Sequence, residues 1–119
     1  MNALADSLGL APEFSGEARR APLIPLVDPL TAAPEVELIL EEARAFFAME
    51  WPPAVFLAMA HDPGYLADYW LAVKGIFADG ALDRLTKEVM AFAASVTARS
   101  GYGADFHLRE MRRLGASER

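Results

Sequence analysis

Three side chains in the C-terminal half of the sequence have the types and the spacing for proton-transfer chemistry. Glu88 is followed twelve residues later by Ser100, and His107 comes seven residues after Ser100. A histidine changes charge near neutral pH and a carboxylate can orient its ring, so such a pair suits general acid–base catalysis. The sequence contains no cysteine, which excludes thiol nucleophiles, disulfides and thiolate metal sites.

The elements that must position these side chains are predicted to be helices. Ala, Leu, Met, Glu and Arg are good helix formers and β-branched residues are few, which predicts an all-α fold of about five to six helices. Apolar residues recur at three- and four-residue steps over about 33–49 and 63–78, and residues 54–60 are apolar on every side. Asp62 is a good N-cap for the helix that begins at residue 63.

Two further helices carry the candidate residues. Asp83 is predicted to cap the first of them, which extends to a polar break that begins at Ser100. The second is predicted over about 104–114. If these helices pack antiparallel or obliquely, Glu88 can approach His107 across the pair.

The motif order in this region resembles that of the AhpD-like superfamily, which holds the alkylhydroperoxidases and the carboxymuconolactone decarboxylases. The residues that carry the resemblance are Leu82-Asp83, Lys87-Glu88, His107 and the ending Arg112-Arg113-Leu114-Gly115, and the similarity extends over about Leu23 to Gly115. Redox members of the group have a glutamate, a Cys-x-x-Cys motif twelve residues later, and a histidine four residues after the second cysteine. This sequence keeps every one of these spacings.

The resemblance also shows what has been replaced. Ser100 stands at the first cysteine position, Gly103 at the second, and Tyr102 where some members have a second histidine. In the redox members one thiolate attacks the peroxide and the other cysteine resolves the product as a disulfide. A serine hydroxyl has no redox chemistry and glycine has no side chain, so the resemblance implies the fold but not the dithiol peroxidase reaction.

Each candidate residue also has a purely structural interpretation. Near the start of a helix, Glu88 complements the helix dipole, and His107 can be a hydrogen-bonded, partly buried histidine. Ser100 is favoured as part of the turn between the helices. Gly103 either permits close backbone packing or leaves room for a ligand, and Tyr102 either reaches into a pocket or needs only a partner for its hydroxyl.

Three functional hypotheses follow from these alternatives. The first is a cofactor-free decarboxylase, lyase or isomerase acting on a small carboxylated molecule, with His107 as general acid or base and Glu88 orienting it. Ser100, Tyr102 and Gly103 would then line the substrate site. The second is a catalytically inactive relative that serves as a small-molecule-binding or oligomeric scaffold protein. Residual alkylhydroperoxidase activity is the third and the least favoured.

Composition limits the partners and the location. The formal net charge of −6 disfavours nucleic acid and anionic membranes as partners. The two histidines, His61 and His107, do not form a metal-binding pair, so no metal site is expected.

The N-terminus lacks a basic segment followed by an apolar stretch, and no apolar run approaches the roughly 18–20 residues that span a bilayer, so a cytoplasmic location is expected. The resemblance implies a homo-oligomer, such as a trimer or hexamer.

The remaining segments are given structural roles. Residues 1–20 are predicted to be a flexible N-terminal arm and residues 21–119 the helical domain. The proline-rich stretch 21–29 is expected to be an extended strap, anchored by its apolar residues Leu23, Ile24, Leu26 and Val27. Near the C-terminus, Arg109, Arg112 and Arg113 together with Glu110 are expected to form a solvated helix face.

Overall fold

The computed structural model describes residues 23–115, which form five α-helices and no strand. The helices are α1 (Pro34–Phe46), α2 (Ala54–Met59), α3 (Pro63–Phe77), α4 (Arg84–Thr97) and α5 (Gly101–Arg113). The all-α prediction is confirmed. The arm predicted for residues 1–20 lies outside the described residues, and the described chain divides into two compact units, residues 23–76 and 77–115.

The core of the first unit is formed by the apolar faces of α1, α2 and α3. On α1, Val36, Leu40 and Ala43 are buried at three- and four-residue intervals, as the helical period requires. Trp70 of α3 packs edge-on against Phe56 of α2, with ring centroids 5.6 Å apart. Its indole Nε1–H donates to the Glu42 carboxylate at 2.8 Å, which gives the polar edge of this large ring a partner.

The first helix ends earlier than the sequence predicted. It was expected to continue to Met49, but α1 ends at Phe46. Ala48 takes a left-handed backbone conformation with φ of 49°, which cannot continue a right-handed helix. The Arg44 guanidinium then donates to the carbonyl oxygen of Met49 at 2.8 Å and stabilises the reversed chain.

The strap is held in a different way from the one expected. Leu23 and Ile24 are 101% and 57% exposed, and Leu26 is exposed as well, so these apolar side chains do not anchor it. Two hydrogen bonds do: the Val27 N–H donates to the Leu57 carbonyl at 3.1 Å, and the His61 ring Nε2 lies 2.5 Å from the Pro25 carbonyl oxygen. A carbonyl oxygen can only accept, so His61 carries its proton on Nε2.

The second unit is a hairpin of two helices. Three facing pairs, Ser95 with Gly103, Glu88 with His107 and Arg84 with Glu110, run in opposite order along α4 and α5, so the helices are antiparallel. Asp83 caps α4 as predicted, its side chain accepting from the Thr86 N–H at 2.8 Å. Short connections of this kind are typical of antiparallel helical neighbours.

The start of α5 corrects a second predicted boundary. The helix was expected from about Ala104, but it begins at Gly101. Arg99 takes a φ of 57°, which turns the chain, and Ser100 becomes the N-cap of α5 by accepting from the Gly103 N–H at 3.0 Å. Serine is among the residues that cap helices best, so the polar break is the first turn of the helix and not a loop before it.

Candidate functional site

Glu88 and His107 are brought into direct contact across the hairpin. The His107 Nδ1 lies 2.6 Å from the Glu88 Oε2. The Glu88 side chain is fully buried, whereas the His107 side chain retains 19% of its exposure. An ionised carboxylate only accepts hydrogen bonds, so with Glu88 charged the proton on Nδ1 is the one donated. The arrangement leaves Nε2 of the ring as the nitrogen available for chemistry.

The second carboxylate oxygen of Glu88 forms no hydrogen bond to the described part of the chain. This atom, Oε1, is buried and has no hydrogen-bond partner among residues 23–115, and no hydrogen bond is formed to Nε2 of His107 within the same residues. A buried carboxylate oxygen without a partner is costly, because its interaction with water is lost without replacement. The pair therefore presents one unsatisfied acceptor and one free ring nitrogen.

Aromatic rings fix the plane of the imidazole. Phe77, the last residue of α3, stacks on His107 with centroids 5.8 Å apart and planes 18° apart. Phe106 meets the imidazole edge-on at 5.4 Å. These contacts restrict the rotation of the ring, so the direction of Nε2 is set by packing as well as by Glu88.

Gly103 lies about one helical turn before His107, and Ser100 lies at the start of the same helix, three residues before Gly103. The Ser100 hydroxyl is used as the helix cap described above. A Cβ atom on Gly103 would lie 2.5 Å from the Ser95 Oγ and 2.9 Å from the Ser100 Oγ. These distances are shorter than van der Waals contact, so close packing, and not space for a ligand, explains the glycine. Tyr102 stacks on Phe106 with centroids 6.0 Å apart and is half-buried.

A second buried carboxylate was missed by sequence reasoning. Glu110 was assigned to a solvated face, but its side chain is fully buried. It binds Arg113 through two hydrogen bonds of 2.7 and 2.8 Å, and Arg84 through one of 2.9 Å. The three-residue spacing of Glu110 and Arg113 signals a helical pair. Nothing in the sequence indicated that Arg84, on the other helix, would complete it.

The two arginines differ in their electrostatics. Burial lowers the pKa of Arg84, and the negative charges of Glu110, Glu88 and Asp79 partly oppose that effect. The hydrogen bond to Glu110 raises the pKa of Arg113, with a further contribution from Glu88. Both guanidinium groups therefore respond to the charge on Glu88 while being hydrogen-bonded to Glu110.

The described part of the chain offers no candidate metal centre. Between residues 23 and 115, no three or more His, Asp or Glu side chains are arranged to hold a metal ion. None of the five helices is both long and apolar enough to cross a membrane.

Comparisons with known proteins agree with this architecture. Residues 63–119 match the model of the carboxymuconolactone decarboxylase family. Among solved structures, the alkylhydroperoxidase AhpD core from Rhodospirillum rubrum ATCC 11170 is similar, with a TM-score of 0.75 and 27% identity over 83% of this chain and 75% of that chain. No curated protein matches the sequence. The chain therefore has an AhpD-like fold, its residues 63–119 match the model of the carboxymuconolactone decarboxylase family, and its sequence contains no cysteine.

Proposed function

We propose that this protein is a cofactor-free, non-redox enzyme that acts on a small carboxylated molecule by acid–base chemistry, of the decarboxylase, lyase or isomerase type. The observation that carries the proposal is the 2.6 Å contact between His107 Nδ1 and a fully buried Glu88. A histidine oriented by a buried carboxylate is a recurring arrangement in general acid–base catalysis.

The chemistry follows from the protonation states of the pair. With Glu88 ionised and Nδ1 protonated, Nε2 of His107 has a lone pair and acts as a general base. When Nε2 takes a proton, the resulting imidazolium is stabilised by the adjacent carboxylate. The same Nε2 then returns the proton as a general acid, so one side chain can serve both halves of a lyase or isomerase reaction.

Peroxide reduction is not supported by these residues. The sequence has no thiol, and a side chain at position 103 would overlap Ser95 and Ser100. The reaction that the printed name of the Rhodospirillum rubrum protein indicates is therefore not transferred to this chain.

An alternative proposal is a catalytically inactive relative that binds a small molecule or acts as an oligomeric scaffold. It is supported by the structural use of Ser100 as a helix cap and by the closed space at Gly103. Both positions had been predicted to line a substrate site. That role stays a prediction for Ser100, Gly103 and Tyr102, and the small carboxylated molecule belongs to the enzyme proposal alone.

The experiment is a screen of the purified protein against lactones and keto acids, with the variants His107→Gln and Glu88→Gln. General acid–base groups typically contribute roughly 10²–10⁴-fold to rate, so H107Q should lose about that factor. His61→Gln is the matched control, because it removes the other histidine and a single strap hydrogen bond. Unchanged turnover in H107Q would exclude His107 as the acid–base group. A ligand that binds without turnover would favour the alternative.

A further inference from the structure

Glu110 binds Arg84 and Arg113, and Glu88 is a second carboxylate with which a buried arginine could pair. Arg84 precedes Glu88 by four residues on α4, a spacing at which opposite charges on a helix readily pair. Instead, Arg84 reaches across the hairpin to the Glu110 Oε1 at 2.9 Å. The Glu88 Oε1, which such a helical pair would use, stays without a partner in the described chain.

Because Arg84 and Glu110 are buried, the loss of either partner would leave an unpaired charge inside the protein. Arg84 keeps only 14% of its side-chain exposure, and Glu110 keeps none. A buried guanidinium that loses its carboxylate must find another, because an unpaired buried charge is strongly unfavourable. Glu88 is the one carboxylate on α4, and its charge already acts on both Arg84 and Arg113.

We propose that Glu110 is a positioning residue for the Glu88–His107 pair: by holding Arg84 and Arg113, it keeps both guanidinium groups off Glu88, so that Glu88 binds the imidazole alone. The role of Glu110 in catalysis rests on the proposed function. The arrangement of charges among Glu110, the two arginines and Glu88 does not depend on that function. Without Glu110, Arg84 turns to Glu88, the carboxylate is shared, and the His107 proton is no longer fixed on Nδ1.

Within residues 23–115, the groups that bear on this inference are two aromatic rings and a set of charged side chains on the hairpin. Phe77 and Phe106 face the ring without charge. Charged or titratable groups nearby are Glu88 in contact with it, then Arg84, Arg113, Glu110 and Asp79, which accepts from the Arg84 backbone N–H. The nearby Lys87 ammonium donates to the Ala78 carbonyl.

The test is nuclear magnetic resonance of the two histidines in the full-length protein. Nitrogen chemical shifts distinguish which ring nitrogen carries the proton in the neutral form. In the parent, His107 should be protonated on Nδ1 and His61 on Nε2, so His61 is an internal reference in every spectrum. In Glu110→Gln we expect His107 to lose its fixed Nδ1 proton, because its carboxylate partner is then shared with Arg84.

A matched control is available on α1. Glu41 binds Arg44 at the same three-residue spacing and through the same two guanidinium nitrogens, but both groups are solvent-accessible. Glu41→Gln should leave both histidines unchanged. The double variant Glu110→Gln/Arg84→Gln should restore the Nδ1 proton on His107, since the competing cation is gone.

The outcomes separate this inference from the proposed function, because none of the readouts depends on turnover. A His107 that stays protonated on Nδ1 in E110Q, or one that is not restored in the double variant, overturns the positioning role. If circular dichroism shows that E110Q does not fold, Glu110→Asp replaces it. That variant keeps the charge but shortens the reach, and it should weaken the Nδ1 preference; an unchanged preference in E110D also overturns the inference.

Discussion

Gly103→Ala is the perturbation that most directly tests the packing of the helical hairpin. The added methyl carbon would lie 2.5 Å from the Ser95 Oγ, 2.9 Å from the Ser100 Oγ and 3.1 Å from the Ser95 Cβ. The Ser95 hydroxyl can rotate away, which removes the shortest contact. The contact with the Ser95 Cβ can be relieved only by a small separation of α4 from α5.

The contact with Ser100 adds a further cost. Its hydroxyl caps α5 and cannot move without giving up the hydrogen bond from Gly103. Loss of a serine cap costs about 1 kcal/mol, and overpacking a close contact typically costs about 1–3 kcal/mol. The intrinsic helix preference of alanine over glycine returns up to about 1 kcal/mol. We therefore expect G103A to be less stable than the parent by about 1–3 kcal/mol.

The assay is reversible unfolding in urea at fixed protein concentration. The matched control is Gly75→Ala on α3, where a Cβ would meet nothing within 4 Å, so that variant should be neutral or more stable by up to about 1 kcal/mol. Ser95→Ala/Gly103→Ala should recover part of the loss, because one oxygen is removed from the contact. A G103A protein as stable as the parent, or no recovery in the double variant, would refute the close-packing explanation.

Two other predictions concern capping and assembly. Hydrogen bonds from Thr86 hold the pKa of Asp83 below that of an ordinary aspartate, so its stabilisation is present above about pH 4 and is lost as the pH falls through the lowered value. The stability difference between parent and Asp83→Ala should therefore shrink on acidification, and a difference independent of pH would contradict this. We also propose a homo-oligomer: the family resemblance implies a trimer or hexamer, and Met90 on α4 and Leu71 on α3 are exposed apolar side chains that an interface would cover. Light scattering measures the mass directly, and a monomer at micromolar concentration would contradict the expectation.

Local signals in the sequence predicted most of the helices. Asp83 and Asp62 mark helix starts by side-chain chemistry that operates within three residues, and both accept the predicted backbone hydrogen bonds. The end of α1 and the start of α5 were placed wrongly. In both cases the backbone takes a positive φ at a residue other than glycine, Ala48 and Arg99, and such residues carry no sequence signal.

The sequence predicted those parts of the candidate site whose residues lie on one helix or follow a known motif spacing. The approach of Glu88 to His107 depends on the antiparallel packing of α4 and α5, which the motif spacing suggested. The burial of Glu110 did not follow from its neighbours, because the three arginines near it are typical of a solvated face. Its partner Arg84 lies twenty-six residues away on the other helix, and a contact at that separation depends on tertiary packing.

The antiparallel hairpin also has a consequence for the order in which the molecule assembles. Counted outward from the Arg99 turn, the facing pairs are Ser95 with Gly103, then Glu88 with His107, and last Arg84 with Glu110. Each pair that closes shortens the loop that the next must close, so the chain entropy lost at each later step is small. In a hairpin that closes outward from its turn, the small uncharged residues pack first, and each carboxylate leaves water beside its partner. Folding in this order never requires a bare buried charge.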